Sequence, residues 1–325
     1  MNKLKVLIYG KTRNGGSVSN LIRMVNYNHP EVEFCIYQEG MRGDVLLGVD
    51  RTMSEVKMKI RKVNCMASVP SFLKYKHNRK IGSLDHTFFI SEYCRNLFSE
   101  REEYKNSSIL LPVGPLPADP NFDPMVNTRS IEGSINFLAM AKWYKRPYKR
   151  LERIKHLYKK YLRKEYPDSI LNVIGTKQTD VEDGIHYYRK SFHNEDMADL
   201  VKKCHIHIIP TAFDTGPKTL TESLHYRIPF VCSKNCSGSE YMEFLGKCGI
   251  EVHTDTYIDS MEKYRKNKPL NPGSEMVKSR IPYDEYTDAI KEIVNNFEEY
   301  TSWKWNDKLN YKKQSDNLYN ILKGE

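Results

Sequence analysis

The sequence predicts an α/β protein made of two doubly wound, Rossmann-like domains facing across a cleft, and three observations predict it. First, short runs rich in β-branched and aromatic residues alternate with longer helix-compatible polar stretches, the cadence of strand–helix repeats around a parallel sheet. Second, these runs form two similar sets: 6–9, 32–37, 44–49, 63–67, 87–91 and 109–113, then 135–140, 170–174, 185–188, 205–209, 229–233 and 250–253. Third, the stretch LPVGPLPADPNFDP at 111–124 lies between the sets, and its prolines remove backbone donors and hold the residues before them extended, so it reads as a linker. One sheet holding every strand would exceed the usual size of open twisted sheets, so two domains are the simpler arrangement. After Pro282 the chain turns helical, over 283–300 and 303–322, with Trp303 and Trp305 near the join.

Composition is that of a folded globular chain: 325 residues, 39% hydrophobic and 28% charged. No run approaches the roughly 20 apolar residues of a membrane-spanning helix, and 3–9 reads as a strand without a cleavage signature, so a cytoplasmic protein is expected. The seven cysteines are an odd number, and several sit in apolar strand-like runs, which predicts reduced thiols. A net charge of +10 calls for an anionic partner: nucleotide phosphates, the surface of an anionic membrane met peripherally, or nucleic acid. Charge alone does not choose among them. Much of the excess lies in 142–164, where a solvated helix face is the plain explanation.

Three constellations could carry chemistry. GKTRNGGS at 10–17 follows the first strand and precedes a helix; Gly15 and Gly16 let backbone N–H groups approach a phosphate or an acceptor hydroxyl. The spacing fits neither the Walker loop nor the dinucleotide fingerprint, and an ordinary strand-to-helix turn is the competing account. FLAMAKWYKRPYKR at 137–150 runs from a buried strand into a cationic loop whose Lys142 and Lys149 suit a diphosphate.

The most informative segment is IIPTAFDTGPKTLTESLHYRIPFVCS at 208–233. A strand ends, Asp214 follows, Gly216-Pro217 supplies a turn and a helix's first position, and Glu222 comes on that helix. The amides of Lys218 and Thr219 would meet a phosphate with the helix dipole behind them. Glu222 would accept hydrogen bonds from ribose hydroxyls, and Asp214 would lie nearer a sugar. The alternative is that Asp214 is a helix cap and Glu222 an exposed helical acid.

This segment resembles the E-x7-E region of the retaining glycosyltransferases of family 4 (glycosyltransferase group 1), with Asp214 in place of the first Glu and Glu222 matching the second. Other blocks agree. In 137–150, Ala141-Lys142 stands where the family has Gly-Arg, and Lys149-Arg150 where it has Lys-Gly; 170–175 resembles its L-x-I-x-G strand, and 194–210 its approach to the acidic motif. The likeness is strong over 135–239 and weaker over the first hundred residues. The family's donor-contacting histidine of the N-terminal domain has no counterpart in 64–70.

The resemblance implies a GT-B fold. The N-terminal, acceptor-side domain would span 1–116, completed by a closing helix at 304–325, and the nucleotide-sugar domain 117–303. It implies retaining transfer of a hexose from a nucleoside diphosphate sugar, UDP- or GDP-linked, to a glycan, lipid-linked or protein acceptor, without cofactor or metal. Asp214, Lys142, Lys149 and Glu222 would be catalytic; Gly15, Gly16, Gly216, Pro217, Lys218, Thr219, Tyr188 and Arg189 would hold the donor, with packed tyrosines the equal account of 187–188. Two alternatives stand beside it: a transferase acting on a hydroxymethylated base in DNA, to which the positive charge is suited, and an inactive binding protein of the same fold. Cys204, His205, His207, Cys232 and Cys236 invite a zinc site, but no paired Cys-x2-Cys knuckle occurs.

Overall fold

The computed structural model describes residues 3–10, 17–49, 53, 56–66, 84–96, 107–111, 129–143, 149–177, 180–189, 195–212, 214, 216–253, 281–304 and 306–325. In chain order the elements are β1 (Leu4–Tyr9), α1 (Ser17–Asn28), β2 (Val32–Ile36), β3 (Val45–Val49), β4 (Arg61–Met66), β5 (His86–Phe89), α2 (Glu92–Asn96) and β6 (Ser107–Ile109). Then come β7 (Asn136–Met140), α3 (Leu151–Leu157, carried on by a π-helical turn, Tyr158–Leu162, and a last turn, Arg163–Glu165), β8 (Ile170–Thr176), β9 (Val181–Glu182), β10 (Ile185–Arg189) and α4 (Glu195–Lys202). The rest is β11 (Ile206–Ile209), α5 (Lys218–His225), β12 (Phe230–Ser233), α6 (Gly238–Leu245), β13 (Gly249–Val252), α7 (Tyr283–Asn295) and α8 (Tyr311–Lys323). They divide into two compact units, Met1–Phe122 with Asn306–Glu325, and Asp123–Trp305.

In the first unit a parallel sheet of order β2-β1-β3-β4-β5-β6 is covered by α1 and α8. Leu21, Met24 and Val25 of α1 and Leu318, Ile321 and Leu322 of α8 share one core with Val6, Val45, Leu47 and Val63. The closing helix is fixed at both ends: Asn310 accepts from Lys313 N at 3.1 Å as its cap, and Gly324 stops it in the left-handed region at φ 91°. Between them Asp316 meets His29 at 2.9 Å, and the Tyr319 ring stacks on that imidazole. Sequence places the last strand at 109–113, whereas β6 spans Ser107–Ile109. Leu110 and Leu111 are buried past its end, because the ladder closes with Leu110 N–H donating to Phe89, the last residue of β5.

The second unit's sheet runs β13-β12-β11-β7-β8-β10-β9, parallel except for β9. Omitting that two-residue edge strand, which the periodicity missed because both its residues are exposed, the order counted from β7 is 3-2-1-4-5-6. Side chains alternate across it: Phe137 and Ala139 face a core with Tyr158, Leu171, Ile208 and Tyr286, while Leu138 and Met140 face Ile174, Cys204 and Ile228. Strand order reverses between the adjacent β7 and β11, and in open α/β sheets the crevice for a ligand opens beyond the carboxyl ends of such a pair.

Candidate functional site

Two loops leave the sheet at that reversal. The one after β7 carries Lys142 and Lys149; the one after β11 carries Asp214 and leads through Gly216 and Pro217 into α5. The first is pinned close to β8: Ala141 N–H donates to Ile174 O at 3.2 Å, and the Trp143 indole donates to the same carbonyl at 2.9 Å. That approach requires Gly175, whose φ is 99° and where a Cβ would stand 1.9 Å from Ala141 O. The loops are joined by Arg150, 4% exposed and left-handed at φ 62°, whose guanidinium donates to Pro210 O at 3.3 Å.

Lys149 and Asp214, far apart in sequence, form an ion pair, with the lysine 7% exposed. Asp214 is therefore not a helix cap. The pair's field reaches its neighbours. Burial, with Lys149 adding to it, pushes the His207 imidazole down to about 3; burial, with Asp214 adding to it, pushes the Cys236 thiol up to about 12. Both are thus neutral near pH 7.

Gly216, at φ 144°, lets the chain turn into α5. Pro217 stands one place earlier than the sequence suggested: its ψ of 112° is extended, so it caps the helix rather than beginning it. Leu220 N–H donates back to Pro217 O at 2.8 Å, and the amides of Lys218 and Thr219 come before it in the first turn, where helix N–H groups point out along the axis. Glu222 is not an exposed helical acid: it is 3% exposed, with an oxygen 2.8 Å from Lys218 Nζ.

The structure thus brings Lys149 to Asp214 and Lys218 to Glu222, and sets Lys142 two residues past β7, beside Gly175. Tyr188 and Arg189 end β10, two strands out from β7; Tyr188 packs against the core of Leu138, Met140 and Ile174, and Arg189 is exposed. Tyr187 is a core residue whose hydroxyl donates to Glu182 at 3.0 Å. Gly15 and Gly16 lie outside the described residues.

The histidines of the zinc reading have other partners. His205 Nδ1 accepts from Asn136 N at 2.9 Å, and His207 Nδ1 meets Ser223 Oγ at 2.9 Å. Among the described residues no group of three or more His, Cys, Asp or Glu is placed to hold a metal ion. Sequence reasoning noticed His207 only as a metal candidate. The signal it passed over is a polar residue at an inward position of a central strand, which demands a partner. It also missed the cluster below Asp214, where Cys236 Sγ lies 3.2 Å from both Thr211 O and Ser233 Oγ.

No protein-family model matches the chain, and no curated protein sequence does. Solved structures do match it over its whole length. WaaG, a glycosyltransferase involved in lipopolysaccharide biosynthesis, aligns with a TM-score of 0.57 at 10% identity, covering 99% of this chain and 100% of that one. HepE from Anabaena, solved in complex with UDP and glucose, aligns at 0.62 and 10%, covering 99% and 100%. Sucrose-phosphate synthase from Thermosynechococcus elongatus aligns at 0.57 and 11%, covering 98% and 94%. The chain has their fold, the α/β GT-B architecture of two Rossmann-like sheets.

Proposed function

We propose that the protein is a retaining glycosyltransferase that moves a hexose from a UDP- or GDP-linked sugar to an acceptor hydroxyl. The observation that carries this reading is the convergence, at the strand-order reversal, of Lys149 paired with Asp214 and a helix mouth backed by a buried Glu222. A GT-B neighbour holding UDP and glucose supports the choice of donor.

The physical problem is the charge that grows on the departing diphosphate, and donors already aimed at it lower the barrier without reorganising. Lys142, Lys149 and the amides of Lys218 and Thr219, beyond the Gly216-Pro217 turn, meet that charge. The bond from the anomeric carbon to the β-phosphate oxygen breaks with its electron pair left on that oxygen. The acceptor oxygen bonds to the same face of the carbon, and its proton passes to the leaving phosphate. Neither carboxylate acts as a nucleophile. Glu222 holds the ribose hydroxyls, and Asp214 holds Lys149 in place and offers negative charge to the anomeric carbon; Tyr188 and Arg189 lie on the side of the donor's base.

A thermal-shift panel of UDP-, GDP-, ADP- and dTDP-sugars tests the reading, since a ligand at about a hundred times its Kd stabilises by about 2.7 kcal/mol. The expected result is a rise in Tm with a UDP- or GDP-sugar, followed by nucleotide release when acceptors are supplied. No shift with any member of the panel overturns it.

A further inference from the structure

The mechanism above does not use the buried imidazole under the site. His207 projects from β11 and is fully buried; its Nδ1 lies 2.9 Å from Ser223 Oγ, on α5 next to Glu222. The Ser223 hydroxyl spends its only proton on Leu220 O, 2.9 Å away. With its proton so placed it accepts from the histidine, an arrangement that puts the imidazole proton on Nδ1 and leaves Nε2 a bare lone pair. Among the described residues the buried Nε2 has no hydrogen-bond partner, a smaller cost than a buried N–H in the same place. One side chain of the central strand thus reaches two successive turns of α5: Ser223 directly, and the first-turn carbonyl of Leu220 through it.

We infer that His207 is a positioning residue of the donor site, setting through Ser223 the rotation of α5 on β11 and so the direction in which Lys218 and Glu222 face. This rests on the glycosyltransferase reading for its consequence in binding, but not for its structural content. A helix turned by one residue moves each side chain by about 100° around the axis, so a small slip takes Glu222 away from the mouth that its first turn forms. Apolar packing alone leaves such slips cheap; a directional hydrogen bond in a dry interior does not. The chain spends two buried polar side chains here, and the cost is repaid as orientation.

The test compares His207→Phe, Ser223→Ala, the double variant and His207→Asn, whose amide nitrogen can take the place of Nδ1. Titration calorimetry with UDP and with GDP should show nucleotide binding weakened about tenfold in each single variant, no further loss in the double variant, and recovery in His207→Asn. Hydrogen exchange read at the α5 amides 220–225 supplies the readout that does not depend on the donor: it should quicken in His207→Phe and Ser223→Ala and return in His207→Asn. If the wild type binds neither nucleotide, the donor reading fails, and the exchange data alone decide the role of His207. Wild-type exchange in α5 of both single variants, or wild-type nucleotide affinity in both, overturns the inference.

Discussion

At the scale of single residues, the site rests on charges that are buried or nearly so, and that is where substitutions should separate binding from folding. Glu222→Gln keeps the shape of a side chain that is 3% exposed, and Lys149→Met keeps the stem of one that is 7% exposed. Each should lower turnover by at least about tenfold, the equivalent of about 1.4 kcal/mol of barrier. Tm should move little for Glu222→Gln and fall for Lys149→Met, which strands Asp214; nucleotide-release rates at wild-type level in both purified variants would remove these residues from the mechanism. Gly175 is a different kind of residue, since a hydrogen on Cα is all that the Ala141 carbonyl leaves room for. Gly175→Ala meets both a left-handed backbone and a backbone clash, so a loss of more than about 2 kcal/mol in a urea melt is expected. A midpoint unchanged from wild type would show that the segment bearing Lys142 yields easily.

At the scale of elements, α5 is held at both ends. Its N-terminal end borders the candidate site, while past its C-terminal end Arg129 donates to Tyr226 O and to Arg227 O, the latter at 3.0 Å. The same guanidinium donates to Lys202 O at 2.7 Å and Cys204 O at 3.0 Å, closing the end of α4 as well. Helix C-termini expose carbonyls without donor partners and carry partial negative charge, so a forked cation answers both needs at once. Arg129→Met should cost about 2–4 kcal/mol in urea unfolding, and Arg129→Lys should recover little of it, because an ammonium cannot span four carbonyls. Full recovery by lysine would mean that charge alone matters. None of this clamp was legible in the sequence, whereas the strands and α5 were. Apolar alternation and a Gly-Pro turn are written into neighbouring residues, but the partner of Arg129 or of Lys149 lies 60 residues or more away and is set by how the sheet assembles. β9 and the true place of β6 escaped for a related reason: two exposed residues give no period, and Leu110 and Leu111 look like a strand because they are buried, though they lie past its end.

At the scale of the whole molecule, the second unit holds three buried histidines uncharged. Burial pushes His205 and His225 down to about 4 and His207 down to about 3, from an ordinary value of 6.5. A histidine whose folded value lies below its unfolded one binds fewer protons when folded, so ionisation favours the unfolded chain as pH falls. Stability is therefore complete above the unfolded value of 6.5 and drains away as pH drops through the window down to 3–4. Each such group loses about 1.4 kcal/mol per pH unit inside that window, so by about pH 5 each has withdrawn about 2 kcal/mol and the three together roughly 6. That is comparable with the whole stability of an ordinary domain, about 5–15 kcal/mol. Thermal melts at pH 8, 7 and 5 should show Tm nearly level over the first step and falling steeply over the second. Exchange in β7, β8 and β11 should rise over the same interval, since all three histidines lie on β11, just before it, or at the end of α5 beside it. His207→Asn should blunt the fall by about a third, because its amide has no proton to gain while the donated hydrogen bond to Ser223 is kept. A Tm that stays level down to pH 5 in the wild type would mean that these imidazoles find water or charge compensation in the folded state, and that the interior beneath the proposed donor site is wetter than its burial implies.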